Sequence, residues 1–383
     1  MNLSKARLPD SLLFPLAAAI NFFSITALLI LAGLTGNGEL AANIGIVQGA
    51  ILVVFLSLSG NARNLILASS TEEIEKKLFY FRLTVLLPAV MTIFFLCAGI
   101  VETPVWLIGG LIIRRCSEWV AELQLANREK NSDYTFASRY IWINLIAFSP
   151  LFLSLIFSEG IVFYFILYAW SIAPAVLVWP FVRWILGLGR SSVNFSGIVQ
   201  HIGSSVIIGT STYIFRILIV LLAGKSLGGL MFTAYALGGV VSALYTYALG
   251  PSSMVKKKEM NRSKTLIVFV IVCMLIGLAI ILAPSIMRDS LEYNSLFIYG
   301  VGFSLIGGGI MLLAQKQRLV ILQILKKDVF VPDALANILL ISTIPFAYYL
   351  FGQFSFTVFF LLSAVLNLFF YAFLAQKGRS QHV

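Results

Sequence analysis

The feature that most constrains this chain is the recurrence of long apolar stretches along its whole length. One of them reads LFIYGVGFSLIGGGIMLL, and stretches of this kind supply the ~20 residues that a helix needs to cross a bilayer. Only 11% of the 383 residues are charged, whereas soluble domains carry about 25%. A water-soluble fold could not cover so apolar a chain with polar surface, so the sequence predicts a polytopic membrane protein.

The apolar stretches are expected to form helices, which makes the predicted fold class all-α. Barrel strands alternate apolar and polar residues, and these stretches do not. In lipid, a helix satisfies every backbone hydrogen bond within its own segment. The pattern predicts twelve transmembrane helices, at 11–34, 39–69, 78–100, 104–126, 136–157, 161–187, 198–223, 229–254, 264–285, 294–325, 333–352 and 354–376.

Lysine and arginine are distributed unequally about these predicted spans. With a cytoplasmic N-terminus, the cytoplasmic ends and loops hold 20 of the 27 basic residues, five lie within spans, and only Lys225 and Arg288 lie outside. Because cytoplasmic segments carry the excess of Lys and Arg, we expect both termini to be cytoplasmic. The same rule accounts for the net charge of +11, so we expect membrane lipid, and no nucleic acid, as a partner.

A weak internal repeat relates the two halves of the chain at an offset of 190 residues. The glycines in register are Gly38, Gly49 and Gly60 in the first half and Gly228, Gly239 and Gly250 in the second. The repeat separates six predicted spans from six, which gives both halves the same orientation in the membrane. The sequence therefore predicts two pseudo-symmetric six-helix lobes, an N-terminal one at 1–190 and a C-terminal one at 191–383.

Residue types that usually carry enzymatic or metal chemistry are scarce. The three cysteines form no C-x-x-C pair, and the two histidines form no metal-binding motif. The predicted outer turns, such as 34–38 and 158–160, are too short to build a catalytic cleft. We therefore predict that the chain is not an enzyme and that it uses neither a metal nor a cofactor.

The fourth predicted span, TPVWLIGGLIIRRCSEWVAELQL, carries four charged residues. A charge at mid-span costs roughly 2.5–3.5 kcal/mol on insertion scales, so such residues are candidates for function. Spacings of four and eight place Arg114, Glu118 and Glu122 on one helical face, and Arg115 can reach Glu118 from three residues away. Two interpretations stay open: a self-neutralised Arg–Glu ladder packed between helices, or the polar wall of a water-filled cavity.

Three more basic residues fall within predicted spans. Arg216 lies in TSTYIFRILIVLL with no acidic residue within eight positions, so it needs a partner from another helix, water or a ligand. Both a structural ion pair with Glu118 or Glu122 and an anion site in a central cavity fit the sequence. Arg63 and Lys316 lie nearer to predicted cytoplasmic ends, where snorkelling to the interface is an alternative to ligand binding.

Segments around these residues resemble a known transporter family. GIVQGAILVVFLSLSGNARNLILAS, which contains Arg63, and GTSTYIFRILIVLLAGKSLGGLMFTAYALGGVVSAL, which contains Arg216, look like lobe segments of polysaccharide flippases. The Arg-x-x-x-Glu pattern of the fourth span is similar to that group as well. On these residues the chain resembles the O-antigen and capsule repeat-unit flippases of the multidrug/oligosaccharidyl-lipid/polysaccharide exporter superfamily.

The resemblance implies a V-shaped, MATE-like pair of six-helix lobes that alternates access across the bacterial cytoplasmic (inner) membrane. The implied substrate is an oligosaccharide repeat unit linked to undecaprenyl pyrophosphate, whose phosphate oxygens pair well with guanidinium groups. The expected substrate-binding residues are Arg63, Arg114, Arg115, Arg216 and Lys316. Glu118 and Glu122 are expected to pair with arginines or to take part in ion coupling to H⁺ or Na⁺.

The resemblance also implies a polysaccharide polymerase and other assembly proteins of polysaccharide and lipopolysaccharide biosynthesis as partners. The main alternative is a small-molecule or drug antiporter of the same superfamily, although cation exporters favour an acidic interior. A sugar transporter of the other common twelve-span class is disfavoured because the loop SSTEEIEKK lacks that class's arginine-rich motif. A membrane polymerase or ligase would need a sizeable external loop.

Overall fold

A computed structural model describes residues 10–59, 62–68, 73–157, 160–187, 202–244, 263–286, 295–323 and 328–379, and those residues form no β-strand. In chain order, the α-helices are α1 (Asp10–Leu34), α2 (Gly38–Ile51), α3 (Ala62–Ala68), α4 (Glu73–Ile100), α5 (Val105–Lys130), α6 (Tyr134–Phe157), α7 (Ile161–Gly187), α8 (Ile202–Leu244), α9 (Ser263–Ile286), α10 (Ser295–Gln323), α11 (Phe330–Phe351) and α12 (Ser355–Arg379). A π-helical turn at Leu52–Leu56 follows α2, and a 3₁₀ turn at Gly352–Phe354 joins α11 to α12.

Within the described ranges, nine helical segments are long and apolar enough to cross a membrane. This is the architecture of an all-α, multi-pass membrane protein, as the sequence predicts. The segment 203–243 has a break at Gly224, whose φ of +80° and ψ of 166° lie outside the helical region. The helix α5 has 26 residues and is not among the nine, since Arg114, Arg115, Glu118 and Glu122 make it too highly charged.

The second predicted span is not one continuous helix. It begins as α2, changes to the π-helical turn at Leu52–Leu56 and resumes as α3. The start of α2 is fixed by Asn37, whose side-chain oxygen accepts a hydrogen bond from the Leu40 backbone N–H at 3.0 Å. An asparagine cap of this kind satisfies one of the unpaired N–H groups at a helix start.

The chain folds into two compact units, each of which packs mainly within itself. The first contains 1–25 and 54–202, and the second contains 26–53 and 203–383. The boundaries near the N-terminus therefore fall inside α1 and inside the π-helical turn. The lobes predicted at 1–190 and 191–383 stay a prediction.

In the first unit, α5 is packed on several sides by other helices. One apolar cluster joins its residues Leu123 and Ala126 to Phe79 and Phe81 of α4 and to α3 and α7. A second cluster joins Ala121 and Leu125 to α1, α6 and α7. Because the middle of α5 is enclosed in this way, the charged side chains in that part of the helix need partners inside the protein.

In the second unit, α2 and α8 approach each other closely through glycines. A Cβ built on Gly229 would lie 1.8 Å from the carbonyl oxygen of Gly38, and one on Gly209 would lie 2.8 Å from the carbonyl oxygen of Leu52. Any larger residue at Gly229 would separate the two helices. The close approach brings the side chains of α8 within reach of the α2 backbone.

Several residues to which the sequence assigns a role lie outside the described ranges. They are residues 188–197 of the predicted connection between the lobes at about 187–197, the glycines Gly60 and Gly250, and the chain ends 1–9 and 380–383. The basic residues Arg190, Lys256, Lys257, Lys258, Arg262, Arg288, Lys326 and Lys327, which enter the predicted charge distribution, also lie outside these ranges.

Candidate functional site

The most buried charges in the first unit are Arg114 and Glu118, one helical turn apart on α5. Arg114 Nε donates to Glu118 Oε1 at 2.6 Å, and the two side chains are 0% and 1% exposed. Two apolar turns of α5 precede this pair, which places it well inside the helix. The spacing of four residues places the two side chains on one helical face, and in the structure they form an ion pair.

The other two nitrogens of the Arg114 guanidinium are hydrogen-bonded to neutral groups. Its Nη1 donates to the Trp170 carbonyl oxygen at 2.9 Å, and its Nη2 donates to Asn144 Oδ1 at 2.7 Å. Its cationic carbon lies 4.2 Å from the centre of the Trp170 ring, within cation–π range. Glu118 Oε1 also accepts a hydrogen bond from Ser24. Each of the three nitrogens of Arg114 therefore has an acceptor, and Glu118 balances its charge.

Arg115, the next residue on α5, is held far less completely. It is 7% exposed, and its Nη1 lies 3.5 Å from Glu118 Oε2, at the limit of hydrogen bonding. Its Nε is buried and has no hydrogen-bond partner among the described residues. One carboxylate thus serves two guanidinium groups, which leaves one positive charge in excess around Glu118.

Glu122 pairs with an arginine that the sequence did not single out as a site residue. Arg82 of α4 donates from Nη2 to Glu122 Oε2 at 2.8 Å and from Nη1 to the Trp119 carbonyl oxygen. Arg82 is 2% exposed. It lies at the start of the second turn of the predicted span 78–100, and this position inside an apolar span is the sequence signal that identifies it.

Arg63, on α3, forms a two-pronged ion pair with Glu129 near the end of α5. Its Nε and Nη2 each donate to a different Glu129 oxygen at 2.8 Å. The side chains are 15% and 23% exposed, so this pair is less enclosed than Arg114–Glu118. The structure therefore ties α3 to α5 at this point.

Arg216 of α8 is bonded only to neutral groups within the described part of the chain. Its Nη1 donates to the Gly45 carbonyl oxygen, and its Nη2 donates to Gln48 Oε1 at 3.0 Å. No described carboxylate lies within ion-pair distance of this guanidinium, which is partly buried. Glu118 and Glu122, considered as partners on sequence grounds, are bonded to other arginines.

The remaining predicted residue, Lys316, lies half-buried on α10 and forms no ion pair with any carboxylate in the described ranges. Two residues further on, Arg318 Nη2 donates to Asp333 Oδ2 at 3.1 Å. Asp333 is 0% exposed and also accepts hydrogen bonds from Ser204 and Tyr371. This network, which joins α8, α10, α11 and α12, was missed because its members are far apart in sequence.

The described ranges contain no group of three or more His, Cys, Asp or Glu side chains that could hold a metal ion. No protein-family model, no curated protein and no solved structure matches the chain.

The arginines described above fall into two groups, according to whether each has a carboxylate partner of its own. Arg63, Arg82, Arg114 and Arg318 are each paired with a carboxylate and act as charge-neutral ties in the helix packing. Arg216 has no carboxylate partner among the described residues, and Arg115 shares a carboxylate that is already bonded. A positive charge without a counter-ion in an apolar helix is stabilised by an anion, which makes Arg216 the strongest candidate for ligand contact.

Proposed function

We propose that the protein is a flippase that moves undecaprenyl-pyrophosphate-linked oligosaccharide repeat units across the bacterial cytoplasmic membrane, with Arg216 contacting the pyrophosphate. The observation that carries this proposal is that, among the described residues, the Arg216 guanidinium is bonded only to the Gly45 carbonyl and the Gln48 amide. Its charge is thus available to an anion that enters the membrane domain. Phosphate is the anion whose geometry best matches a guanidinium group.

The choice of Arg216 over Arg114 follows from their hydrogen bonds. Every nitrogen of Arg114 has an acceptor, and its charge is balanced by Glu118. A substrate phosphate would have to displace that carboxylate from a fully buried position. Arg216 uses two of the five N–H donors that a guanidinium carries, so a phosphate can bind it without breaking an ion pair.

Arg115 is the second candidate for substrate contact in this proposal. The α4–α5 cluster contains three arginines and two glutamates, so it has one positive charge in excess. Arg115 has the longest ion-pair distance of the three arginines, at 3.5 Å, and we assign the excess charge to it. Arg63 and Lys316 are assigned supporting roles toward the cytoplasmic entrance. Glu118 and Glu122 hold arginines in the substrate-free state, and any coupling to H⁺ or Na⁺ would act through them.

The identity of the substrate rests on the sequence resemblance to polysaccharide flippases. The geometry adds a preference for an anion over a cation, which disfavours the alternative of a drug antiporter. A lipid-linked substrate also suits a chain whose described helices expose apolar side chains widely, because the polyprenyl tail can stay in the bilayer while the head group crosses.

The proposal includes twelve spans in two six-helix lobes, with both termini in the cytoplasm. Nine segments within the described ranges meet the length and hydropathy requirement for a span. The number of spans becomes twelve when the segment 203–243 is divided at Gly224, the segment 330–376 is divided at the 3₁₀ turn Gly352–Phe354, and the charged helix α5 is added. This number supports the predicted arrangement, and an even number of spans puts both termini on one side.

The test is transport by the purified protein in liposomes containing a fluorescent undecaprenyl-pyrophosphate oligosaccharide. We expect Arg216→Ala to lower the rate of transfer between leaflets by about tenfold or more, which corresponds to the loss of one charge-assisted contact of about 1.5–3 kcal/mol. Arg216→Lys should retain part of the activity. The matched control is Arg183→Ala, because Arg183 is an exposed arginine on α7 that lies over the Trp179 ring.

Two outcomes would overturn the assignment. Wild-type transfer by Arg216→Ala would remove Arg216 from the substrate site. Transport of a small organic cation by the wild-type protein, with no transfer of the lipid-linked saccharide, would favour the antiporter instead.

A further inference from the structure

We propose that Gln48 is the positioning residue for Arg216, and that it holds the guanidinium by a neutral group so that the positive charge stays available to substrate. This inference rests on the proposed function for the identity of the substrate, but the positioning role is tested separately. Gln48 lies on α2 and is 8% exposed. Its Oε1 accepts a hydrogen bond from Arg216 Nη2 at 3.0 Å.

The other end of the Gln48 amide is bonded to α1. Gln48 Nε2 donates to Thr26 Oγ1 at 2.6 Å, and Thr26 is itself 8% exposed. Three helices, α1, α2 and α8, are therefore linked through one buried amide. Removal of the Thr26 hydroxyl would leave the amide N–H₂ group without this acceptor.

Arg216 sets which way the Gln48 amide faces, and Thr26 holds the other end of that amide. A guanidinium group has five N–H donors and no acceptor, so it requires an oxygen opposite it. If the amide rotated by half a turn, its N–H₂ group would face the Arg216 donors and the bond would be lost. With the amide oxygen facing Arg216, the N–H₂ group faces Thr26, whose Oγ1 accepts from it and anchors the Gln48 side chain to α1.

The two glycines of α2 complete the surface on which Arg216 lies. A Cβ on Gly49 would lie 3.4 Å from Arg216 Cδ and 3.3 Å from the Tyr213 backbone, so the glycine leaves room for the arginine stem. Gly45 supplies the carbonyl that accepts from Nη1. On its own, the Gly45-x-x-x-Gly49 spacing suggests only close helix packing. Here Gly45, Gln48 and Gly49 form the surface of α2 that contacts the Arg216 side chain, and we call this surface the Arg216 seat.

The chemistry of this seat explains why an amide suits the position better than a carboxylate. Glutamate at 48 would reach Arg216 equally well but would neutralise it, as Glu118 does for Arg114. Glutamine fixes the direction of the guanidinium and leaves the charge uncompensated. The consequence for substrate is that a phosphate meets an arginine that is already oriented and still cationic.

The positioning role can be measured without a transport assay. Purified full-length protein in detergent is treated with phenylglyoxal, which modifies arginine, and the rate at Arg216 is followed by peptide mass spectrometry. Buried Arg114 and exposed Arg183 serve as internal references in the same sample. We expect Gln48→Met, which keeps the side-chain length but removes the acceptor, to raise the Arg216 rate several-fold.

Thr26→Val supplies a second, gentler variant that keeps the side-chain shape. We expect it to raise the Arg216 rate in the wild-type background and to have no further effect when combined with Gln48→Met, since it acts through Gln48. The matched control is Gln124→Met, because Gln124 is a buried glutamine on α5, 3% exposed, whose Oε1 has no partner among the described residues. Unchanged rates at Arg216 in both Gln48→Met and Thr26→Val would overturn the positioning role.

The charge-sparing role is tested with Gln48→Glu and binding of undecaprenyl pyrophosphate to the purified protein. We expect Gln48→Glu to weaken binding more strongly than Gln48→Met, because it supplies a competing carboxylate. Equal binding by Gln48→Glu and wild type would overturn this part of the inference. If the phenylglyoxal results hold while undecaprenyl pyrophosphate neither binds the wild type nor protects Arg216, the positioning role stands and the proposed function fails.

Discussion

Arg114 Nε and Glu118 Oε1 lie 2.6 Å apart, on side chains that are 0% and 1% exposed. An ion pair enclosed to this degree has lost the hydration of both groups, so its stability depends on keeping each partner. Arg115 adds to that dependence because Glu118 is its only carboxylate partner in the described residues. The pair therefore acts as a structural tie of α5, separate from the charge available on Arg216.

Glu118→Gln should destabilise the protein strongly, because it leaves Arg114 and Arg115 without a buried counter-charge. Removal of one partner of a buried pair costs about 3–5 kcal/mol, which should appear as a lower unfolding temperature in detergent. The matched control is Glu73→Gln, whose carboxylate pairs with Lys77 at 2.7 Å at the same spacing of four. That pair is exposed to solvent, so its loss is expected to change the unfolding temperature little. Equal shifts for the two variants would contradict the structural role of Glu118.

Arg82 and Glu122 should show energetic coupling between α4 and α5. Glu122→Leu leaves an uncompensated charge on Arg82, which is 2% exposed. Arg82→Leu leaves a glutamate that is 25% exposed. Glu122→Leu should therefore lower the free energy of unfolding by more than Arg82→Leu. The double variant should cost less than the sum of the two, with a coupling of roughly 0.5–3 kcal/mol. A double-mutant cycle on the free energy of unfolding measures this coupling, and strictly additive effects would exclude the contact.

The sequence predicted contacts within a helix better than contacts between helices. Arg114 and Glu118 are four residues apart, and helical geometry alone brings them together. Glu122 was assigned to the same face, but its partner is Arg82 on α4, and no periodicity within α5 can reveal which residue a neighbouring helix presents.

The same limit applies to Gln48 and Asp333. Both are recognisable from the sequence as polar residues in or next to apolar segments, but their roles depend on the register between α2 and α8 and between α10 and α11. The first of these registers is set by packing at residues such as Gly209 and Gly229. The all-α membrane class was predictable because it depends only on hydropathy and segment length.

Asp133, between α5 and α6, should contribute stability that depends on pH. Thr135 Oγ1 donates to its Oδ1 at 2.6 Å, the Phe136 backbone N–H donates at 3.2 Å, and Arg128 pairs with Oδ2 at 3.0 Å. The side-chain hydrogen bond from Thr135, followed by these other contacts, lowers the pKa of Asp133 below its ordinary value. The carboxylate form is thus favoured in the folded state.

A lowered folded-state pKa gives stability that is present above the unfolded pKa of about 4 and lost as the pH falls through the folded value. We expect Asp133→Ala to cost about 1 kcal/mol at neutral pH through loss of the helix cap. The difference in unfolding temperature between wild type and Asp133→Ala should shrink as the pH is lowered below about 4. A difference that grows on acidification would contradict this assignment. Asp133→Asn keeps a capping oxygen, so it should lose less stability than Asp133→Ala at neutral pH.

Gly45→Ala should disturb both the packing of α2 and the seat of Arg216. The added Cβ would lie 2.4 Å from the Phe232 ring, and that ring lies 5.6 Å from the Arg216 cationic carbon. Overpacking of this kind costs about 1–3 kcal/mol. The change should lower the unfolding temperature and raise the rate at which phenylglyoxal modifies Arg216.

The matched control for Gly45→Ala is Gly239→Ala on α8. A Cβ at Gly239 meets no atom within 4 Å, and alanine favours the helix by up to about 1 kcal/mol, so this variant should unfold at the wild-type temperature or above it. The Arg216 modification rate should stay unchanged, because the new methyl group does not touch α2. A wild-type modification rate at Arg216 in Gly45→Ala would show that the packing of α2 against Phe232 does not affect the position of Arg216.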